Sequence, residues 1–468
     1  MEAVALLLPI AVAAIEGDEV LWGLAASALF AAVVGLLLCH VVGRGAVYEV
    51  HERESFWMTS VVWLLVPLMG ALPYVATRTM PSAIDAVFES FSGFTTTGAS
   101  TLSNPRQLPD SLLVWRALTQ WIGGMGLILF VVAVFRRIHG GSISLYDAEF
   151  SGTVQRRLHP HIATTVRSMW AVYVGETLLL VVILLLLGNN WLDAFCLGCC
   201  TVSTGGFMTA ADGLSSLSHA SQSVIALFMF ISGVNLALLY NLFSLKWSRL
   251  RQSHEFRTYL LLFLLFAIFT AVALVMKGGP VWASIRYACF HVASMISTCG
   301  YFIIPPISTP FVVIAFTFLL ILIGACTGST GGGIKVKRVM IVTRYIKNYF
   351  TRMVHPRAVF NVKVDGIVIS DDYNNKVFAF VFMYAVFVLG GAFAMSLAGV
   401  DFEPALSMSM ANMANLGPVP ITGDLGVMFS YAMLPDMAKA VLMVLMVAGR
   451  IEIFALVAVF SRSYWRRR

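Results

Sequence analysis

The sequence is poor in charge. Only 12% of its 468 residues are Asp, Glu, Lys or Arg, about half the share found in a water-soluble domain, which excludes an ordinary soluble enzyme. It also lacks a disulfide framework. The seven cysteines, Cys39, Cys196, Cys199, Cys200, Cys289, Cys299 and Cys326, are odd in number and nearly all sit in apolar stretches, where a free thiol packs as a small hydrophobe. Cys196-x-x-Cys199-Cys200 has no second Cys or His pair at a ligand spacing, so zinc is not expected there. No Ser/His/Asp set, HExxH or pair of carboxylates falls on a plausible aqueous face, and enzymatic chemistry has no support.

What the sequence has is apolar length: 59% of it is hydrophobic. Runs long enough to cross a bilayer, about 20 residues each, lie at roughly 20–42, 57–77, 118–135, 169–188, 222–243, 257–276, 309–324, 377–398 and 434–460. A shorter run at 3–14 follows Glu2 where a signal peptide carries a basic region, and reads as a short first span. The formal charge is +7, with the basic residues in short clusters between runs: Arg44 and Arg53; Arg136 and Arg137; Lys246, Arg249 and Arg251; Lys335, Lys337 and Arg338; Arg462, Arg466, Arg467 and Arg468. Such clusters face the cytoplasm and its anionic leaflet, not nucleic acid. The opposite ends carry Asp18, Asp110, Asn189, Asn190, Asp401, Asp424 and Asp436. This puts the N-terminus inside if the first short run crosses.

Four stretches are apolar for only about ten residues before turning polar, too short to cross and therefore re-entrant. They are 85–100, 193–207, 287–301 and 404–419. Without gaps they read DAVFESFSGFTTTG, DAFCLGCCTVSTGG, YACFHVASMISTCG and PALSMSMANMANLG, ending on Gly98, Gly206, Gly300 and Gly417, each with an alanine twelve residues earlier at Ala86, Ala194, Ala288 and Ala405. The repeat of about 100 residues is far longer than a solenoid period. Two spans per copy return the chain to its starting side, so the copies are parallel, unlike inverted-repeat transporters. Four parallel copies bring four Gly-ended loops to one axis, on the side away from the basic clusters.

Non-helical backbone at membrane depth must find partners for its carbonyls. The loop ends Thr96-Thr97-Gly98, Thr204-Gly205-Gly206, Thr298-Cys299-Gly300 and Asn415-Leu416-Gly417 are candidates for four strands of carbonyl oxygens that replace the hydration shell of a monovalent cation. Glycine permits the positive-φ geometry that turns successive carbonyls towards an axis.

The chain resembles the bacterial Trk-type potassium uptake proteins, the TrkH/TrkG branch of the Trk/Ktr/HKT superfamily, over roughly residues 20 to 468. The resemblance rests on the four loops and on Trp115-Arg116-Ala117-Leu118-Thr119-Gln120-Trp121-Ile122-Gly123-Gly124-Met125-Gly126. It extends to Gly324-Ala325-Cys326-Thr327-Gly328-Ser329-Thr330-Gly331-Gly332-Gly333-Ile334-Lys335, His355-Pro356-Arg357-Ala358-Val359 and Gly449-Arg450-Ile451-Glu452. It implies an all-α integral membrane protein of the bacterial inner membrane, with four pseudo-symmetric helix–pore-loop–helix repeats around a central pore after an N-terminal helix pair. The corresponding divisions are 1–54, 55–150, 151–252, 253–353 and 354–468. It further implies a homodimer and a cytosolic TrkA-type regulatory ring that binds NAD(H) or ATP/ADP. Glycine at the first filter position accompanies potassium selectivity in this superfamily, so Gly98 predicts potassium, held at the filter residues alone.

The run ending at Gly324 continues through Gly328-Ser329-Thr330-Gly331-Gly332-Gly333. The glycine spacing suggests a phosphate loop, but Ile334 stands where its lysine is required, so no nucleotide is expected on this chain. A flexible segment below the filter is a candidate gate, and the resemblance implies an intramembrane gating loop there. Arg450, inside the last apolar run, is expected to project beneath the filter as an electrostatic barrier; the bland reading is an ion pair with a carboxylate of another repeat. Glu89, Glu176 and His291 read as structural hydrogen-bonding groups, with proton coupling at either glutamate as the other option. The function expected is channel-like potassium uptake under a cytosolic partner. Proton- or sodium-coupled symport and a non-transporting membrane subunit are the alternatives.

Overall fold

The computed structural model describes residues 1–42, 52–126, 162–243, 247–355, 363–365, 367–417 and 431–460. Outside these lie Arg44, Arg136, Arg137, Lys246, Asp424, Arg462, Arg466, Arg467 and Arg468, residues 356–359, the end of the fourth loop at 418–419 and the second half of the 118–135 run.

The first apolar run forms Glu2–Ala5 and then α1 (Leu7–Glu16), which Gly17 ends at φ 71. Ten residues make about 15 Å of helix, half the roughly 30 Å hydrocarbon layer. The expected short first span therefore does not cross as one helix, and it does not fix the side of the N-terminus. Asp18 just beyond it accepts a hydrogen bond from Ser111 Oγ at 3.1 Å. α2 (Leu21–Val42) is apolar all round and long enough to span.

A unit then recurs four times. It opens with a long helix: α3 (Glu52–Gly70, containing Pro67 and extended by Leu72–Thr77), α6 (Ile162–Leu186), α10 (His254–Met276) or α14 (Asp371–Leu397). A short buried helix follows: α4 (Ala83–Phe94), α7 (Trp191–Val202), α11 (Val281–Ile296) or α15 (Phe402–Met413). Ser82 Oγ and Asn190 Oδ1 cap the first two of these, accepting from the amides of Asp85 and Leu192 and meeting donors a helix start leaves over. After the loop comes a second helix: α5 (Asp110–Gly124), α8 (His219–Ser232) with α9 (Leu236–Phe243), α12 (Phe311–Ile323) with α13 (Val336–Val354), or α16 (Asp436–Arg450) with α17 (Phe454–Phe460). A two-residue-per-strand hairpin, Lys363–Val364 with Ile367–Val368, precedes α14.

The second helices of units one, two and four are not the plain spans expected. α8 and α9 meet at a 110° bend across Gly233 to Asn235, and α16 gives way to α17 through Glu452 and Ile453, both at positive φ. α5 stops at Gly124, with Gly126 at φ 80. Hydropathy misses these breaks because most residues at them are apolar or small, and such helix ends survive at membrane depth only when buried in protein.

The four units close into a ring. α5 packs on α7, α8 on α11, α12 on α15, and α16 back on α4. Lys439 Nζ of α16 and Asp85 Oδ1 of α4 meet at 2.7 Å, both buried, so the last unit is clasped to the first.

Candidate functional site

All four short helices end in the same way. The amides of Thr96, Thr204, Thr298 and Asn415 bond to the carbonyls of Gly93, Thr201, Met295 and Asn412. The next amides, of Thr97, Gly205, Cys299 and Leu416, reach back to Ser92, Cys200, Ser294 and Ala411 at 2.9 to 3.0 Å. This is the Schellman closure, but its left-handed position is filled by Thr or Asn instead of Gly: Thr96, Thr204, Thr298 and Asn415 have φ of 55, 52, 60 and 52. Such a conformation at a β-branched residue costs of order 1–3 kcal/mol, so its three occurrences at threonine, with Asn415 in the fourth place, point to a geometry imposed for function. The closures also aim four helix C-termini, the negative ends of their dipoles, at the space the loops enclose.

Gly98, Gly206 and Gly300 continue at φ of 81, 79 and 85. Gly417 does not adopt positive φ; what requires glycine there is proximity. A Cβ on Gly417 would collide with the backbone of Gly98 and Ala99, one on Gly98 with the Gly205 carbonyl, and one on Gly206 with the Cys299 carbonyl. The loops therefore meet edge to edge, and all twelve expected loop-end residues are buried.

Two of their carbonyls are occupied. Gln120 Nε2 donates to Gly205 O at 2.7 Å while Gln120 Oε1 accepts from Phe207 N at 3.0 Å, and Tyr431 Oη donates to Gly417 O at 2.5 Å. The other loop-end carbonyls accept no hydrogen bond among the described residues. Buried carbonyls in that condition are rare and call for a partner. Behind the first loop, Arg116 Nε donates to Glu89 Oε1 at 2.9 Å and Arg116 Nη1 to Met208 O at 3.1 Å, and Glu89 Oε2 accepts from Thr101 N at 3.1 Å. The Arg116 guanidinium lies 4.0 Å over the Phe207 ring, tying the first loop to the second. The sequence reading missed Arg116 and Gln120 as framework residues. A charge and an amide four residues apart in an apolar helix share one face, which was the available signal.

Directly against these loops lies the segment 324–335. Gly332 N donates to Thr298 Oγ1 at 2.7 Å, and Thr330 Oγ1 donates to Val202 O at 3.1 Å and lies 3.3 Å from Thr204 Oγ1. A Cβ on Gly331 would press on Ser297 O, and one on Gly332 on Ala414 O. From its outer side the segment is held by Asn235 Nδ2 on Thr327 O (2.5 Å), Gly328 O accepting from Leu236 N (3.0 Å), and Glu255 Oε1 accepting from Thr327 N (2.6 Å). The bend at Gly233 to Asn235 thus serves as a bracket for this segment.

Arg450 lies at the same level. Its Nη1 donates to Thr330 O at 2.8 Å and Thr96 Oγ1 at 3.2 Å, and its Nη2 to the carbonyls of Gly123 and Gly124 at 2.5 and 2.7 Å. It bridges the first loop, the segment and the end of α5. Glu452 bonds instead with Arg338. Lys335 and Arg338, expected at the lipid headgroups, are buried: Lys335 Nζ folds back onto Gly331 O, and Arg338 stacks over Phe380. Gly328, Gly331, Asn415, Arg450, Lys335 and Glu452 are among the residues that enclose a cavity of about 50 Å³, room for one or two waters.

The remaining candidates have structural surroundings. Glu176 Oε1 accepts from Ser232 Oγ at 2.9 Å, and His291 Nε2 meets Thr317 Oγ1 at 2.8 Å and stacks on Tyr287. The Cys196–Cys200 cluster is buried, and no group of metal-ligating side chains occurs among the described residues.

Four re-entrant loops around one axis, with a buried segment against them, are the architecture of a membrane transport protein. The chain belongs to the TrkH family, described as a cation transport protein, which it matches over residues 24–467. It is 32% identical to the Trk system potassium uptake protein TrkH of Halomonas elongata over 92% of this chain and 89% of that one. It is 30% identical to the Trk system potassium uptake protein TrkG of Escherichia coli K12 over 94% and 92%. The crystal structure of the potassium transporter TrkH from Vibrio parahaemolyticus superposes with a TM-score of 0.89, 27% identity and coverage of 99% of this chain and 96% of that one. The all-α architecture and the multi-pass inner-membrane placement expected from the sequence are thereby borne out.

Proposed function

We propose that this chain takes up potassium across the inner membrane, as its relatives' names state for them. The filter is formed by Thr96, Thr97, Gly98, Thr204, Gly205, Gly206, Thr298, Cys299, Gly300, Asn415, Leu416 and Gly417. The observation that carries this reading is the buried group of loop-end carbonyls without a protein donor, at the meeting point of four helix C-termini. A desolvated K⁺ supplies the missing partner, and helix dipoles of this sign favour it. Potassium is the cargo and the only ion assigned; nucleotide belongs to the partner. Gly205 and Gly417 contribute less, because Gln120 and Tyr431 already engage their carbonyls.

The segment 324–335 is the gate, with Gly324, Gly328, Ser329, Thr330, Gly331, Gly332 and Gly333 as its moving part and Arg450 as its charge. A cation leaving the filter meets that guanidinium, and two unit charges about 4 Å apart repel by about 4 kcal/mol at an effective dielectric of 20. Opening breaks several hydrogen bonds, each worth about 1 kcal/mol net. A closed-to-open shift from 1:99 to 99:1 needs about 5.5 kcal/mol of differential binding. A cytosolic TrkA-type nucleotide-binding ring acting on a homodimer is the proposed source. Rubidium uptake into proteoliposomes tests the function: folded protein with its partner and nucleotide should take up Rb⁺, and no uptake would defeat the reading. Reversal at the potassium potential under varied proton and sodium gradients would favour the passive mode, and a shifted reversal the coupled one.

A further inference from the structure

We infer that the membrane-facing groove between α8, α10 and α11 binds one anionic glycerophospholipid of the outer leaflet, its phosphate on Arg286 and an acyl chain in the groove. The groove encloses about 790 Å³, within the range of specific ligand sites, roughly 300–1,000 Å³. It lies away from the central pathway and is graded from polar to apolar. His219 and Ser223, at the start of α8, and Arg286, in the second turn of α11, line one end, while Phe230, Leu260 and Phe263 line the other. Phe230 and Phe263 pack with ring centroids 4.8 Å apart.

The dimensions fit one leaflet. From His219 to Phe230 the α8 wall runs about 16 Å at 1.5 Å per residue, half of a hydrocarbon core about 30 Å thick. Trp282, on the groove and 84% exposed, marks the interface level that tryptophan favours. The polar end is on the side opposite the basic clusters, hence the outer one.

The charge requires an anion. Gln222, itself buried, has its amide fixed by Nε2 donating to the carbonyls of Leu214 (2.9 Å) and Leu217 (3.1 Å), and its Oε1 accepts from Arg286 Nη1. That neutral contact orients the guanidinium without neutralising it. Among the described residues no carboxylate lies within ion-pair distance of Arg286. A half-buried guanidinium over an apolar groove is matched by a phosphate, which it binds through paired N–H donors, and the chain below fills the apolar part.

Native mass spectrometry of the delipidated full chain, titrated with phosphatidylglycerol or phosphatidylcholine, tests this. The wild type should retain one phosphatidylglycerol per chain about tenfold more tightly than phosphatidylcholine. Arg286→Gln should abolish that preference and Arg286→Lys keep part of it. Phe230→Trp, which fills the apolar end, should weaken both lipids, and it carries the test should the Arg286 variants not fold. Equal retention of the two lipids by the wild type, an undiminished preference in Arg286→Gln, or loss of dimer in Phe230→Trp with lipid retention unchanged would overturn the site. The last result would mean a second copy covers the groove.

Discussion

Arg450 donates one hydrogen bond to Thr330 of the segment and another to Thr96 at the start of the first loop. One side chain therefore touches both the first loop and the segment proposed as the gate. Replacing it with Gln keeps a donor for the Thr330 carbonyl and the Thr96 hydroxyl and removes the charge. With expression retained, Arg450→Gln should raise cation flux by about tenfold or more, in proteoliposomes without the partner. Unchanged flux would remove Arg450 from the gate.

Lys335 gives a second and separable handle. Its ammonium bonds to Gly331 O inside the segment, and hydrogen bonds to charged groups are worth about 1.5–3 kcal/mol. Lys335→Met should loosen the closed segment and raise basal open probability about tenfold, read in single-channel records. A variant whose open probability matches wild type would make Lys335 a packing residue.

Selectivity should be lost by crowding at the glycines. A side chain on Gly98 meets the Gly205 carbonyl and one on Gly206 the Cys299 carbonyl, both in left-handed backbone. Gly98→Ser and Gly206→Asp are expected to shift the K⁺ to Na⁺ permeability ratio downward or abolish current. Reversal potentials in mixed ions measure it.

The Glu89–Arg116 pair should matter for stability more than for gating. Both side chains are within 3% of full burial and 2.7 Å apart. Breaking a buried pair from one side costs about 3–5 kcal/mol. Glu89→Ala should lower the melting temperature markedly in detergent, and Glu89→Gln, which keeps an acceptor for Thr101 N, less so.

The re-entrant loops were legible because four apolar runs of equal length end on glycine in one register. Their most telling feature was not: Thr96, Thr204, Thr298 and Asn415 carry the left-handed turn, and a threonine in that conformation leaves no mark on a sequence. Arg450 stood out as a charge in an apolar run, though its carbonyl partners did not. Lys335 and Arg338 misled, because a basic cluster after a glycine segment looks like a membrane-edge anchor until the backbone is seen turning them inward. The breaks in the second helices of units one, two and four escaped for the opposite reason, since most residues at them, such as Gly126, Gly233, Val234 and Ile453, are small or apolar.

The clasp between Asp85 and Lys439 joins positions 354 residues apart. Without the fourth unit the ring of loops is open on one side and Asp85 lacks its Lys439 partner. The short helix of the first unit therefore reaches its final surroundings only once the C-terminal unit arrives.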